Sequence, residues 1–215
     1  KASDLKSGSL VFTAKTLQGK SSVTQKLLKR SSQNVESIVR DGLIRVMANE
    51  EDKAFLAGIG SEFAPRGMLN WAVAGNKFNA NATINLTNVQ ADLRAAMSKL
   101  TDLNVDIDLG VWFMSWRSRN FLAFQLRDTE DRPAFKDEIT GTPPSINGQR
   151  MFVTNNIPNN LGGETDESRI YFAAMDRAWI ADEAGLTVRA STEASFEDET
   201  GTTISAFDQG LMVII

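Results

Sequence analysis

The 215 residues contain no cysteine and no histidine. Without cysteine there is no disulfide, no thiolate nucleophile and no thiolate metal site. Without histidine the Ser-His-Asp and Cys-His triads are excluded, as are histidine zinc centres. Carboxylates, lysine or tyrosine remain for an enzyme, but the commonest general base is missing. No stretch approaches the ~20 consecutive apolar residues of a membrane-spanning helix, so no membrane partner is expected. No secretory signal is read at the start, and without one the sequons at Asn81 and Asn85 carry little weight. The chain opens on Lys1 and closes on "LMVII", which reads as a strand cut short. Both ends are expected to be truncations of a longer protein.

What is present is ordinary for a folded soluble protein, 42% hydrophobic and 23% charged, and sufficient for one or two sizeable cores. The net charge of −4 is unevenly spread. Between Lys1 and Arg45 stand Lys1, Lys6, Lys15, Lys20, Lys26, Lys29, Arg30, Arg40 and Arg45, opposed only by Asp4, Glu36 and Asp41. From Asn160 onward acids cluster at "GGETDES" and "FEDET". Either these are solvated faces, or the head of one copy complements the tail of another in a repeating, heterologous interface. The basic head lacks interleaved aromatics and any reading motif, which leaves room only for non-specific nucleic-acid contact.

Period-two alternation in "SLVFTAKTLQGKSSVTQ" predicts strands, as a long hairpin with too few large apolar residues to support itself. In "NVESIVRDGLIRVMANEEDKAFLAG", Val35, Ile38, Val39, Leu43, Val46, Met47, Phe55 and Leu56 form one stripe at helical period. Asn34 is the expected N-cap, and Gly58 and Gly60 the stop. A second helix is expected in "TNVQADLRAAMSKL", with Thr87 and Gln90 as a capping box. In "NVDIDLGVWFMS" the alternation of Val105, Ile107 and Leu109 with Asp106 and Asp108 predicts a strand. "RSRNFLAFQLRD" predicts a short helix ending near Asp128. Brief strands follow at "RMFVT", "RIYFAAM", "AWIAD", "LTVRAST" and "ISAFDQGLMVII", without internal repeats.

Few residues suggest chemistry. Asp106 and Asp108 could share a strand face and bind a metal, or simply be that strand's solvent face. Trp112 and Trp116 could stack on a sugar or base, but beside Phe113 and Phe121 they are expected in the core. "NEEDK" reads as the outer face of a helix, and "GIG" follows a helix instead of preceding one, unlike a phosphate loop.

Taken in order, the segments resemble the tailed-phage major capsid proteins of the Hong Kong 97 type. "SSVTQKLLKRSSQNVESIVRDGLIRVMANEEDKAFLAGIG" resembles that family's extended loop and long spine helix, which ends in an "ED.AFL.G.G" signature. "PRGMLN" resembles the segment that follows, and "VWFMSWRSRNFLAFQLRDTEDRPAF" the strand-helix passage. "INGQRMFVTNNIPNN" and "RIYFAAMDRAWIADEAGLTVRASTEASF" are similar to the later strands. Ser115, the Met151-Phe152 pair and "AAM" depart from the family pattern.

The resemblance implies an α+β fold of the Hong Kong 97 capsid type, with axial and peripheral domains and an extended β-hairpin loop. It places the extended loop at residues 1–23, a peripheral domain with the spine helix at 24–62, an axial domain at 63–176 and return strands at 177–215. It implies a structural subunit, not an enzyme, that forms pentamers and hexamers of an icosahedral shell around double-stranded DNA. Expected partners are other copies, the packaged DNA, a scaffolding segment, a maturation protease and a portal. No cofactor or metal is expected, and the location is the virion, assembled in the host cytoplasm. The assembly interface is expected at Leu10, Val11, Phe12, Lys15 and Lys20, with Lys6, Lys15 or Lys20 available for a Lys–Asn crosslink. Alternatives are a nanocompartment shell of the same fold, a tail or decoration protein, and an enzyme or carbohydrate-binding module using Asp106, Asp108 and Trp112.

Overall fold

The computed structural model describes residues 13–31, 35–182, 187–197 and 200–215. In chain order, β1 (Ser21–Thr24), α1 (Gln25–Arg30), α2 (Val35–Ala57), α3 (Met68–Trp71) and α4 (Leu86–Thr101) come first. Next are β2 (Gly110–Met114), α5 (Trp116–Asn120), α6 (Lys136–Thr140), β3 (Ser145–Ile146) and β4 (Gln149–Val153). The last are β5 (Tyr171–Ala174), β6 (Ala190–Ser191), β7 (Ser195–Glu197), β8 (Thr203–Ser205) and β9 (Leu211–Ile214). The chain divides into two compact units, one of residues 1–54, 60–65 and 181–215, the other of 55–59 and 66–180.

In the first unit β9 is the central strand of a sheet ordered β1-β9-β6, antiparallel to both neighbours. Val23, Val213 and Ile214 are buried there. β7 and β8 form a separate hairpin with Phe196 opposite Ile204. Thr24 ends β1 and caps α1, its Oγ1 accepting from Leu27 N at 3.4 Å.

Of the span expected as a hairpin, the structure describes residues 13–23. Residues 13–20 carry no strand, and β1 pairs with β9 from the far end of the chain. A strand needs a ladder partner and a buried face, and β9 supplies both for Val23. Residues 1–12, which include the alternation of Leu10 and Phe12 against Val11, lie outside the described part of the chain.

α2 is a single helix of 23 residues, and its expected N-cap, Asn34, also lies outside the described residues. Leu43 and Met47 are half-buried, whereas Ile38 and Val46 are 56% and 58% exposed. The extended segment before β1 lies close to this helix. A Cβ on Gly19 would stand 2.9 Å from Leu43 Cδ1 and 3.3 Å from Met47 Cγ, so a larger residue there would have to displace the Leu43 side chain.

The second unit is built on a mixed sheet ordered β3-β4-β2-β5, with β2 parallel to β4 and antiparallel to β5. Gly110, Trp112 and Met114 point inward along β2, as the period of two requires. Trp112 and Met114 join Leu93, Leu122, Ala123, Leu126, Phe135, Ile139, Ile146 and Met151 around one core. A Cβ on Gly110 would collide with the Phe172 ring and stand 2.9 Å from Ile107 O. The α2 terminus is closed by Asn70, whose Nδ2 donates to Ala57 O at 3.1 Å and Gly58 O at 2.7 Å. Ala57 O is among the carbonyls that a helix end leaves without intrahelical partners.

Several expected boundaries shift for local reasons. Asn85, not Thr87, caps α4, and its Oδ1 accepts from Asn88 N at 2.8 Å. "DIDLG" does not begin a strand. Asp106 Oδ1 accepts from Asp108 N at 3.1 Å and Ile107–Leu109 closes into a 3-10 turn. A short acidic side chain that bonds its own backbone competes with the ladder. α5 passes into a π-helical turn at Phe121–Gln125, ending before Asp128. "AWIAD" forms no strand, and of "LTVRAST" only Ala190–Ser191 is strand among the described residues, with Arg189 exchanging both backbone hydrogen bonds with Ile215 at 2.8 Å. "ISAFDQGLMVII" divides into β8 and β9 around Gly210, at φ 59°.

Candidate assembly surface

Of the residues expected at an interface, Leu10, Val11 and Phe12 lie outside the described part of the chain. Lys15 and Lys20 are exposed and attach to different elements. Lys15 Nζ donates to Glu62 O at 2.8 Å. Lys20 lines a recess of about 330 Å³ with Ser195, Phe196, Glu197 and Thr203.

A second recess in the same unit is absent from the sequence reading. It measures about 550 Å³ and is lined by Thr24, Gln25, Lys26, Lys29, Arg30, Gln209 and Gly210. Gln25 ties its two walls together, its backbone N donating to Gly210 O at 2.8 Å. The spacing of Lys26, Lys29 and Arg30 is visible in the sequence as one face of a helix. That Gln209 and Gly210 complete the wall depends on pairing across the length of the chain.

The carboxylate and sugar-binding alternative loses its aromatic platform. Trp112 is 1% exposed and its ring centroid lies 4.3 Å from that of Phe172. Trp116, expected in the core, is instead 48% exposed, with the Arg119 guanidinium 5.7 Å from its ring centre. The π-helical turn that follows α5 carries Leu122 and Ala123 inward and leaves Phe124 outside. Among the described residues no group of three or more Asp or Glu could hold a metal ion. No described helix is long and apolar enough to cross a membrane.

Among the described residues two titrating groups have displaced pKa values. Backbone N–H groups of Arg132 and Glu130, both 2.9 Å from Asp128 Oδ1, hold that carboxyl below its ordinary value. Burial pushes the Tyr171 phenol up, with Arg169 opposing the shift. Both groups belong to the second unit.

The α+β fold is of the Hong Kong 97 capsid type. A solved chain from Mycobacterium phage Cain superposes with a TM-score of 0.67 at 16% identity, covering 91% of this chain and 61% of the other. A chain from the capsid of a native GTA particle superposes at 0.55 with 15% identity, covering 91% of this chain and 64% of that one. In sequence, the major capsid protein of Klebsiella oxytoca phage phiKO2 is 30% identical over 217 residues, which is all of this chain and 50% of that protein. The chain thus spans about half the length of that curated relative. Residues 1–214 match the phage capsid family, and the chain belongs to that family.

Proposed function

We propose that the full-length protein is the major capsid subunit of a tailed phage or prophage, self-assembling into an icosahedral shell around double-stranded DNA. The observation that carries this reading is the family match from residue 1 to residue 214. Its role is structural, exerted through surfaces between copies. In this reading residues 1–23 form the extended loop, 24–62 and 177–215 the peripheral domain, and 63–176 the axial domain. The separation of a long-helix unit from a sheet unit supports that division. Pentamers and hexamers form the shell, and a scaffolding segment, protease and portal act during assembly in the host cytoplasm.

Leu10, Val11, Phe12, Lys15 and Lys20 lie at the proposed contact between copies. An apolar side chain fully buried there contributes about 1.5–3 kcal/mol. Phe12→Asp should therefore leave the subunit folded and stop assembly, read by circular dichroism and sedimentation. Normal shells from that variant would remove the loop from the interface. The function itself is tested by expressing the full-length protein and imaging the pelleted material by electron microscopy. Closed shells or ring-shaped capsomers are expected, and nucleic acid inside separates a phage shell from a nanocompartment. A monomer under every assembly condition overturns the proposal.

A further inference from the structure

Among the described residues the basic recess of the first unit has no acidic side chain in its lining. Lys26, Lys29 and Arg30 line it, and none of them forms an ion pair among the described residues. The C-terminal end of α1 favours cations in its last turn, which accounts for Lys29 and Arg30. It does not account for Lys26 in the first turn. Like charges three and four residues apart on a helix repel, so an anion from outside stabilises the set.

A matching anion is carried by the second unit. Leu161 and Glu167 exchange both backbone hydrogen bonds, at 3.0 and 2.9 Å, and close a tight loop. Gly162 at φ 78° and Thr165 at φ 57° set its turn. The Glu167 side chain packs so closely on Gly162 that a Cβ there would collide with its carboxyl group. The loop presents Glu164 and Asp166, both exposed and outside any ion pair among the described residues.

We propose that the basic recess receives the Leu161–Glu167 acidic loop of a second copy, a contact that rests on the self-assembly proposed above. A pre-formed loop loses little conformational freedom on docking. Three cations in a concave site match a tip with two carboxylates. Duplex DNA, with a charge about every 1.7 Å, calls for a longer basic track, and the chain's net charge of −4 opposes it. Recess and loop are different patches, so the contact is heterologous and can propagate into rings.

The test uses the full-length subunit. Lys29→Cys and Glu164→Cys are made in separate copies, mixed, assembled and oxidised, and this stretch adds no cysteine of its own. A disulfide joining the two variants is expected, and particles that form normally without it overturn the contact. Independently, Lys26→Glu with Arg30→Glu, and Glu164→Lys with Asp166→Lys, should each weaken association about tenfold at low salt, with recovery when the two reversed subunits are mixed. Normal assembly with reduced DNA retention assigns the recess to phosphate and overturns the proposal. If wild type forms no particles or rings, the self-assembly reading falls and this contact falls with it. Wild-type particles together with cysteine variants that assemble but do not crosslink sink the contact alone.

Discussion

The two units enclose cores of different size. The second encloses a contiguous core of ten buried residues, from Leu93 to Met151. In the first, the buried apolar side chains among the described residues are Val23, Ala206, Val213 and Ile214. Its long helix leaves Ile38 and Val46 in the open. The second unit also exposes large apolar side chains, Trp71, Trp116 and Trp179 among them, so the contrast lies in how much core each unit encloses and not in what each leaves on its surface.

The largest expected effect is at the centre of the second unit. Trp112→Ala should cost about 3–5 kcal/mol of unfolding free energy, measured by denaturant titration. Val46→Ala on α2 should stay within about 0.5 kcal/mol in the same measurement. Equal costs at the two positions would break the comparison.

Glycine substitution sharpens it, because one change is expected to have opposite signs. Gly110→Ala drives a methyl group into Phe172 and should cost about 1–3 kcal/mol. Gly42→Ala lies mid-helix with nothing within 4 Å of the new Cβ, and should raise stability by about 0.5–1 kcal/mol. Thermal unfolding of both variants reads the signs directly.

The smallest effect belongs to the turn after α5. Asp128→Asn removes the charge that accepts from Arg132 N and Glu130 N. Because the folded carboxyl titrates below its unfolded value, its contribution is present above the ordinary carboxylate range. It is lost as pH falls through the lowered folded value. The variant's deficit in Tm should therefore be seen at neutral pH and vanish on acidification.

Local patterns are legible where one segment suffices to decide them. The period of Val35, Val39, Leu43 and Met47 identifies α2, whereas the alternation of Val105, Ile107 and Leu109 with Asp106 and Asp108 points to a strand that begins only at Gly110, with Gly110, Trp112 and Met114 buried. The later start comes from Asp106, whose side chain bonds Asp108 N before a ladder can form. Thr87 suits a cap by type, but Asn85 stands two residues earlier with the required extended backbone. What one segment cannot reveal is a partner from elsewhere. The pairing of Ser21–Thr24 with Leu211–Ile214 is invisible in either stretch alone, as is the recess that this pairing closes. The acids of "GGETDES" can be counted, but not the loop geometry that presents them.

The β1–β9 pairing also sets an order of events during synthesis. Residues 66–180 leave the ribosome as one block, whereas β1 must wait for a strand made nearly the whole chain later. Domains fold as units as they emerge, and closing long loops is slow. The second unit is thus expected to fold while the first is still open, delaying its interface until translation has passed residue 214. A nascent chain arrested with residue 180 clear of the exit tunnel should protect the Trp112 core from protease and leave Ser21–Thr24 cleavable. Early protection of β1 would show that this timing does not hold.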